Sequence, residues 1–202
     1  MKDLHLLILL SVPGLASAIS PSFDCSRATT TIEKLICDDD RLADLDRQMA
    51  SVWRQAQRAL PAADRGKQQI AQRRWLEARD DCELEKDDQR GCVSHWYRRR
   101  LTELEIISGQ IVVPEPVNYR CDGGPYDSLT VYFHDRTPMR AAVLNRINGR
   151  LDEQDLAYLG EGEAKPTYYG RHAIMYPTEQ GMEGTWDEQP LHCTKLKRQG
   201  SE

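Results

Sequence analysis

The sequence predicts two units of different class in one chain. An all-α module, a helical hairpin or three-helix arrangement, occupies residues 19–108, and a small antiparallel eight-stranded β-barrel occupies residues 117–198. Three observations lead there. Up to residue 108 apolar residues recur every three or four positions, the spacing of one helix face. Beyond residue 116 they alternate in short runs punctuated by Gly, Pro and Asn. Between the two lies "SGQIVVPEPVN", where Pro114 and Pro116 disfavour helix and mark residues 109–116 as a stiff linker.

The first 18 residues belong to neither unit. "LLILLSVPGLASA", residues 6–18, is a short apolar stretch ending in the small-x-small triplet Ala16-Ser17-Ala18, with Lys2 ahead of it and Asp3 weakening the positive start. It reads as a secretory signal peptide cleaved after Ala18, too short for a membrane span. Ile19 rather than cysteine follows the cleavage point, so there is no lipobox and no stable membrane anchor is expected. The chain is expected to be periplasmic or secreted.

Leu42, Leu45, Met49, Val52, Trp53, Ala56 and Leu60 form one apolar helix face, stopped before Pro61. A second helix is expected over about 64–85, with Ile70, Ala71, Trp75, Ala78 and Cys82 inward. A third follows over about 92–107, through Val93, Trp96 or Tyr97, Leu101, Leu104 and Ile107. A short helix around 27–36 precedes them. On the second helix, Gln72, Trp75, Arg79 and Cys82 share a face. A guanidinium beside an indole, paired with Asp46 or Glu33, makes a partly buried polar contact that orients the helices, rather than a ligand site.

The six cysteines, 25, 37, 82, 92, 121 and 193, form no CxxC pair. In an exported chain they read as disulfides rather than as metal ligands, although His95 lies near Cys82 and Cys92. Cys82 and Cys92 flank the acidic loop "ELEKDDQRG", a natural place for a bridge. Cys25 and Cys37 are then left to pair around the short helix, though the spacing admits other pairings.

The second half offers "VNYRC", "SLTVYFH", "AAVLNRI", "DLAYLG", "TYYG", "HAIMY", "EGTWD" and "LHCTKLK" as strands. Asn148-Gly149 is a strong hairpin signal, and Gly123-Gly124-Pro125 breaks the chain after the first strand. Many short strands with frequent turns suit a barrel. Cys121 in the first strand and Cys193 in the last would staple its closure. A charged turn, Glu179 to Glu183, separates two aromatic-rich segments.

Charge divides unevenly. Residues 19–108 carry 16 Lys and Arg against 17 Asp and Glu, and residues 109–202 carry 10 against 14. The acidic excess therefore lies in the second half, which favours basic partners and offers no nucleic-acid surface. No G-x-S-x-G, H-E-x-x-H or phosphate-loop motif occurs. His134, His172 and His192 read as structural residues of strands or strand ends. No enzyme activity, metal or cofactor is expected.

"FDCSRATTTIEKLICDDDRLADLD", "QRRWLEARDDC" and "CVSHWYRRRLTEL" resemble the LprI-type lysozyme-inhibitor N-terminal family, DUF1311, over residues 23–105. The likeness includes four cysteines and the Leu-x-x-Leu-Asp and Gln-x-x-Trp-x-x-x-Arg elements. Residues 117–196, through "YRCDGG", "LTVYF", "GRHAIMY", "QGMEGTW" and Cys193, resemble the MliC/PliC family of periplasmic inhibitors of c-type lysozyme. That resemblance implies an eight-stranded barrel that pushes a loop and a neighbouring strand into the lysozyme cleft. In such inhibitors a serine in Ser-Gly-x-x-Tyr and a lysine in a Lys-Gly turn meet the catalytic carboxylates.

This chain departs at both places. The turn reads Glu179-Gln180-Gly181, and the strand region reads "GEGEAKPTYYG", with no serine. Lys165 and Thr167 are the nearest substitutes, and Tyr168 and Tyr169 complete the expected contact set. A neutral Gln180 can donate a hydrogen bond to a carboxylate but lacks the charge assistance of lysine. The reading is an exported protein that blocks a lysozyme, c-type first and other classes next, through its barrel loops. The alternative is a non-inhibitory cell-envelope or peptidoglycan-associated adaptor.

Overall fold

The computed structural model describes residues 19–124, 126–149 and 151–197, so the expected signal peptide lies outside the described residues. A single 3-10 turn, Cys25–Arg27, leads into α1 (Thr31–Asp38), α2 (Asp40–Ala59) and α3 (Ala62–Asp80). A second 3-10 turn, Asp81–Leu84, precedes α4 (Gln89–Ile107).

Local chemistry sets the helix ends. α1 opens on a reciprocal capping box: Glu33 N donates to Thr30 Oγ1 at 3.0 Å, and Thr30 N donates to Glu33 Oε2 at 3.1 Å. Asp39 caps α2 by accepting from the amides of Arg41 and Leu42 at 2.9 and 3.1 Å. Asp88 caps α4 through Gly91 N at 2.8 Å. The amphipathic faces then close on one core, with Ile32, Ile36, Leu42, Met49, Tyr97, Leu101 and Leu104 buried together.

Two expected core positions are instead exposed: Ile107, the last residue of α4, at 36%, and Ile70. Ile70 lies at the surface of α3, 46% exposed. The face that α3 turns inward runs through Gln68, Gln72, Trp75 and Arg79, spaced four, three and four apart. Arg100 of α4, only 2% exposed, fills the space beside it. Its guanidinium donates to Gln72 Oε1 at 2.9 Å and to the Gln68 carbonyl at 3.3 Å, and pairs with Glu103 at 2.8 Å. A buried arginine must have its donors satisfied, and that polar demand rotates Ile70 outward.

After α4, residues 108–116 carry no helix or strand. Eight strands follow: β1 (Val117–Cys121), β2 (Asp127–His134), β3 (Ala141–Asn148), β4 (Leu151–Leu159), β5 (Tyr168–Tyr169), β6 (Ala173–Pro177), β7 (Gly181–Trp186) and β8 (Gln189–Lys195). They close as an antiparallel barrel in sequence order, with β1 pairing β8. β4 starts four residues earlier than its apolar pattern indicated. The tight turn at Gly149 (φ 64°) brings Asn148 opposite Leu151 and extends the ladder through polar residues.

Disulfides join Cys25 to Cys37, Cys82 to Cys92 and Cys121 to Cys193. The last pair are direct partners across β1 and β8, so the covalent bond lies on the seam where the barrel closes. Inside, Tyr119, Leu129, Val131, Leu144, Met175, Met182 and Trp186 form the core.

Candidate functional site

Antiparallel order sorts the barrel's connections between its two ends. The β2–β3 loop (135–140), the β4–β5 loop (160–167) and the β6–β7 turn (178–180) emerge at the end where β1 begins and β8 finishes. The helical part meets the barrel at this same end. The other end is held by its own polar contacts. There Asp155 accepts from the amides of Arg171, His172 and Ala173 at 3.1, 2.7 and 2.9 Å.

The β4–β5 loop is long, exposed and tied at its base, where Gly160 N donates to the Thr167 carbonyl at 2.8 Å. Gly162 turns it with φ 75°, a left-handed conformation that favours glycine. Two side-chain contacts fix its outer half. Tyr169 Oη donates to Glu163 Oε1 at 2.9 Å, and the Lys165 ammonium stands 4.8 Å from the centre of the Tyr176 ring. Tyr176 in turn donates to Glu183 Oε2 at 3.0 Å. Both phenols are harder to ionise than usual because each already donates to a carboxylate.

These contacts bring Lys165 onto the hairpin that carries Gln180. Thr167 is half-buried and donates to the Lys165 carbonyl at 3.2 Å. Tyr168 faces inward, 5% exposed, with its ring against Phe133 at 5.5 Å. Tyr169 is the exposed member of that pair.

The charged turn is shorter than the sequence indicated. Thr178 N donates to the Gly181 carbonyl at 2.9 Å and Gly181 N donates to Thr178 Oγ1 at 3.0 Å. Glu179 and Gln180 alone form the exposed tip, while Gly181 already starts β7. Met182 is fully buried and Glu183 is held by Tyr176. A Cβ on Gly181 would lie 1.8 Å from the Cys193 carbonyl oxygen, so close strand packing demands glycine there.

In the helical part, Trp75, Arg79 and Asp46 meet through Tyr97. Tyr97 Oη donates to Asp46 Oδ1 at 2.8 Å and accepts from Arg79 Nη1 at 3.1 Å. The Arg79 guanidinium lies 5.5 Å from the Trp75 ring centre and pairs with Asp80 at 2.7 Å. Burial, followed by the negative charge of Asp46, raises the Tyr97 pKa despite the nearby guanidinium. Gln72 is not part of this group; it serves Arg100. The group is enclosed and presents nothing to a ligand.

Sequence reasoning missed the junction between helices and barrel. Thr102 of α4, fully buried, accepts from Met139 N at 2.9 Å and donates to Met139 O at 3.3 Å. Arg98 Nε donates to the Pro138 carbonyl at 3.0 Å, and its Nη1 lies 3.6 Å from Glu161 Oε1. The Arg99 guanidinium lies 4.6 Å from the Tyr158 ring centre. Ile106 packs against Met139, Ala141 and Tyr158. A cleft of about 600 Å³ opens here between Arg98, the β2–β3 loop and the β4–β5 loop, with Lys165 on its wall. The signal was the run Arg98-Arg99-Arg100. At about 100° per residue three successive arginines cannot share one face, and here Arg100 turns to α3 while Arg98 and Arg99 reach the barrel.

Among the described residues no group of three or more His, Cys, Asp or Glu is placed to hold a metal, and no helix is long and apolar enough to cross a membrane. What the barrel end offers is recognition chemistry: a cation on a tethered loop and an amide on a tight turn. Both can donate hydrogen bonds to a partner's oxygens.

The family described as lysozyme inhibitor LprI matches residues 24–107. The lipoproteins LprI of Mycobacterium bovis and Mycobacterium tuberculosis are each 31% identical to this chain over 162 residues, covering 79% of this chain and 76% of the relative. No solved structure matches the chain significantly. A match of 162 residues is longer than everything ahead of β1, so the likeness continues from the helices into the barrel. The chain belongs to the LprI lysozyme-inhibitor family.

Proposed function

We propose that this protein is an exported lysozyme inhibitor that fills the enzyme's active-site cleft with the barrel end carrying residues 160–167 and 178–180. The inhibitory unit is the barrel, residues 117–198, joined by residues 109–116 to the helical module of residues 19–108. The observation that carries the reading is Lys165, an exposed cation held 4.8 Å from the Tyr176 ring on a loop closed at its base.

Glycoside hydrolases of this kind use a pair of carboxyl groups across the scissile bond. An ammonium inserted between them makes charge-assisted hydrogen bonds and excludes the glycan. Lys165 supplies that ammonium in place of the lysine of related MliC/PliC inhibitors, and Gln180 adds an amide donor. No bond is made or broken; the protein acts by occupancy. Exposed Glu161 and Glu163 on the same loop and Glu179 on the neighbouring turn make this end acidic, which steers a basic enzyme towards it.

The relatives are named lipoproteins, whereas Ile19 follows Ala18 in this chain. Release into the periplasm or medium is therefore part of the proposal, and the partner is a lysozyme, c-type first. The rival adaptor reading draws support from the tip itself, where Glu179-Gln180 replaces a lysine. Lys165→Ala in the full chain separates the two. The inhibitor reading expects weaker lysozyme inhibition, by about tenfold for one charged hydrogen bond, with the fold intact. Unchanged inhibition removes Lys165 from the mechanism, and binding to cell envelope without any inhibition favours the adaptor.

A further inference from the structure

We infer that α4 is a brace for the Lys165 loop and that Thr102 is its main positioning residue, which gives the fused helical module a part in inhibition. The inference rests on the inhibitor reading for its functional consequence. The brace itself follows from geometry alone.

Residues 160–167 are exposed at six consecutive positions and include two glycines, so the loop has much conformational freedom to lose on binding. Its base hangs on the start of β3, where Leu159 N donates to the Arg140 carbonyl at 2.9 Å and Ala141 pairs with Tyr158. That start is in turn held by α4. The Thr102 hydroxyl engages both the amide and the carbonyl of Met139, and Arg98 holds the carbonyl of Pro138. The loop is thus clasped on one side by the helix and on the other by the barrel, through Tyr169–Glu163 and Lys165–Tyr176.

The side-chain contacts from α4 are unequal. Arg98 and Glu161 form a loose, exposed pair, 43% and 74% exposed, which water and salt weaken. Thr102 and Met139 are buried, at 0% and 6% exposure, so removing the hydroxyl leaves Met139 N without its partner and away from water. Thr102 therefore dominates. Pre-ordering the loop lowers the entropy lost when Lys165 enters a cleft, and its loss should appear in faster dissociation.

The test compares Thr102→Val, which keeps the shape and loses the hydroxyl, with Thr102→Ser, which keeps the hydroxyl, both in the full chain. Amide hydrogen exchange is read at residues 135–140 and 159–167, with β6 and β7 as internal control. Thr102→Val is expected to raise exchange there by about tenfold, with the control unchanged and Thr102→Ser close to wild type. Arg98→Ala should raise it less. In lysozyme binding, Thr102→Val should dissociate faster, and should add little in a Lys165→Ala background, because both act through one loop.

Unchanged exchange at 159–167, a uniform rise over the whole barrel, or the same effect from Thr102→Ser would overturn the brace. If the wild-type chain inhibits no lysozyme, the proposed function fails while the exchange comparison still decides the brace.

Discussion

Gly181 and Cys193 lie so close across β7 and β8 that a Cβ on the glycine would stand 1.8 Å from the Cys193 carbonyl oxygen. The glycine of the Gln-Gly turn is thus a requirement of strand packing, and only its neighbour, the exposed Gln180, is free to serve a partner. Gly181→Ala should destabilise the barrel by about 3 kcal/mol or more, because backbone must move to admit the methyl. Gln180→Lys should leave stability within about 0.5 kcal/mol and tighten inhibition of c-type lysozyme by about tenfold. Thermal melts and inhibition constants for both variants check this. A stable Gly181→Ala protein would refute the packing argument.

The Cys121–Cys193 disulfide spans 72 residues and lies on the closing strand pair. On the chain-entropy view, replacing both cysteines by serine should remove about 4 kcal/mol. Urea denaturation of the double variant measures it. The loss should fall on the barrel's transition, with helical signal retained to higher denaturant.

Tyr97 bridges Asp46 and Arg79, two charged groups from different helices. Tyr97→Phe keeps the ring and leaves both groups short of a partner, so about 1–3 kcal/mol of stability should be lost. Asp46→Asn, which keeps an acceptor, should cost less. Equal stability for Tyr97→Phe and wild type would show that the bridge contributes nothing.

His134 ends β2 in a buried position, and burial pushes its imidazole pKa below the ordinary 6.5. His95 shifts the same way, through burial and then the charge of Arg99. Between the folded and unfolded pKa values the unfolded chain binds more protons, so stability is full above about pH 6.5 and falls as pH drops below it. Glu33 adds a second loss further down. Hydrogen bonds from Thr29 N and Thr30 N lower its pKa from 4.5, so its contribution disappears as pH falls through the folded value. Melting temperature should therefore decline from pH 6.5 into acid, and His134→Gln should flatten the first part of that decline. A slope unchanged by His134→Gln would exclude the buried imidazole as its source.

Much of the architecture was legible because each element carries its own periodicity. The α2 stripe through Leu42, Met49 and Ala56, and the alternation along Leu129 and Val131, reflect burial against a neighbour on one side only. Ile70 was misread because its helix buries a polar face, and only the partner arginine on α4 reveals that. The Thr102–Met139 junction left no periodic trace, since it depends on how two units dock. In the candidate site, Lys165 and Gln180 were legible as the cation and amide nearest the expected positions. Their connection through Tyr176 was not, because a strand register decides which side chains become neighbours.

The central claim is that the intact chain inhibits a lysozyme by occupying its cleft. Titrating the purified mature chain into c-, g- and i-type lysozymes on cell-wall substrate, at low and high salt, tests it most directly. The account expects saturable loss of lysis with at least one class, c-type first, with association slowed by salt as opposite charges are screened. Undiminished lysis by all three classes at micromolar protein would contradict it.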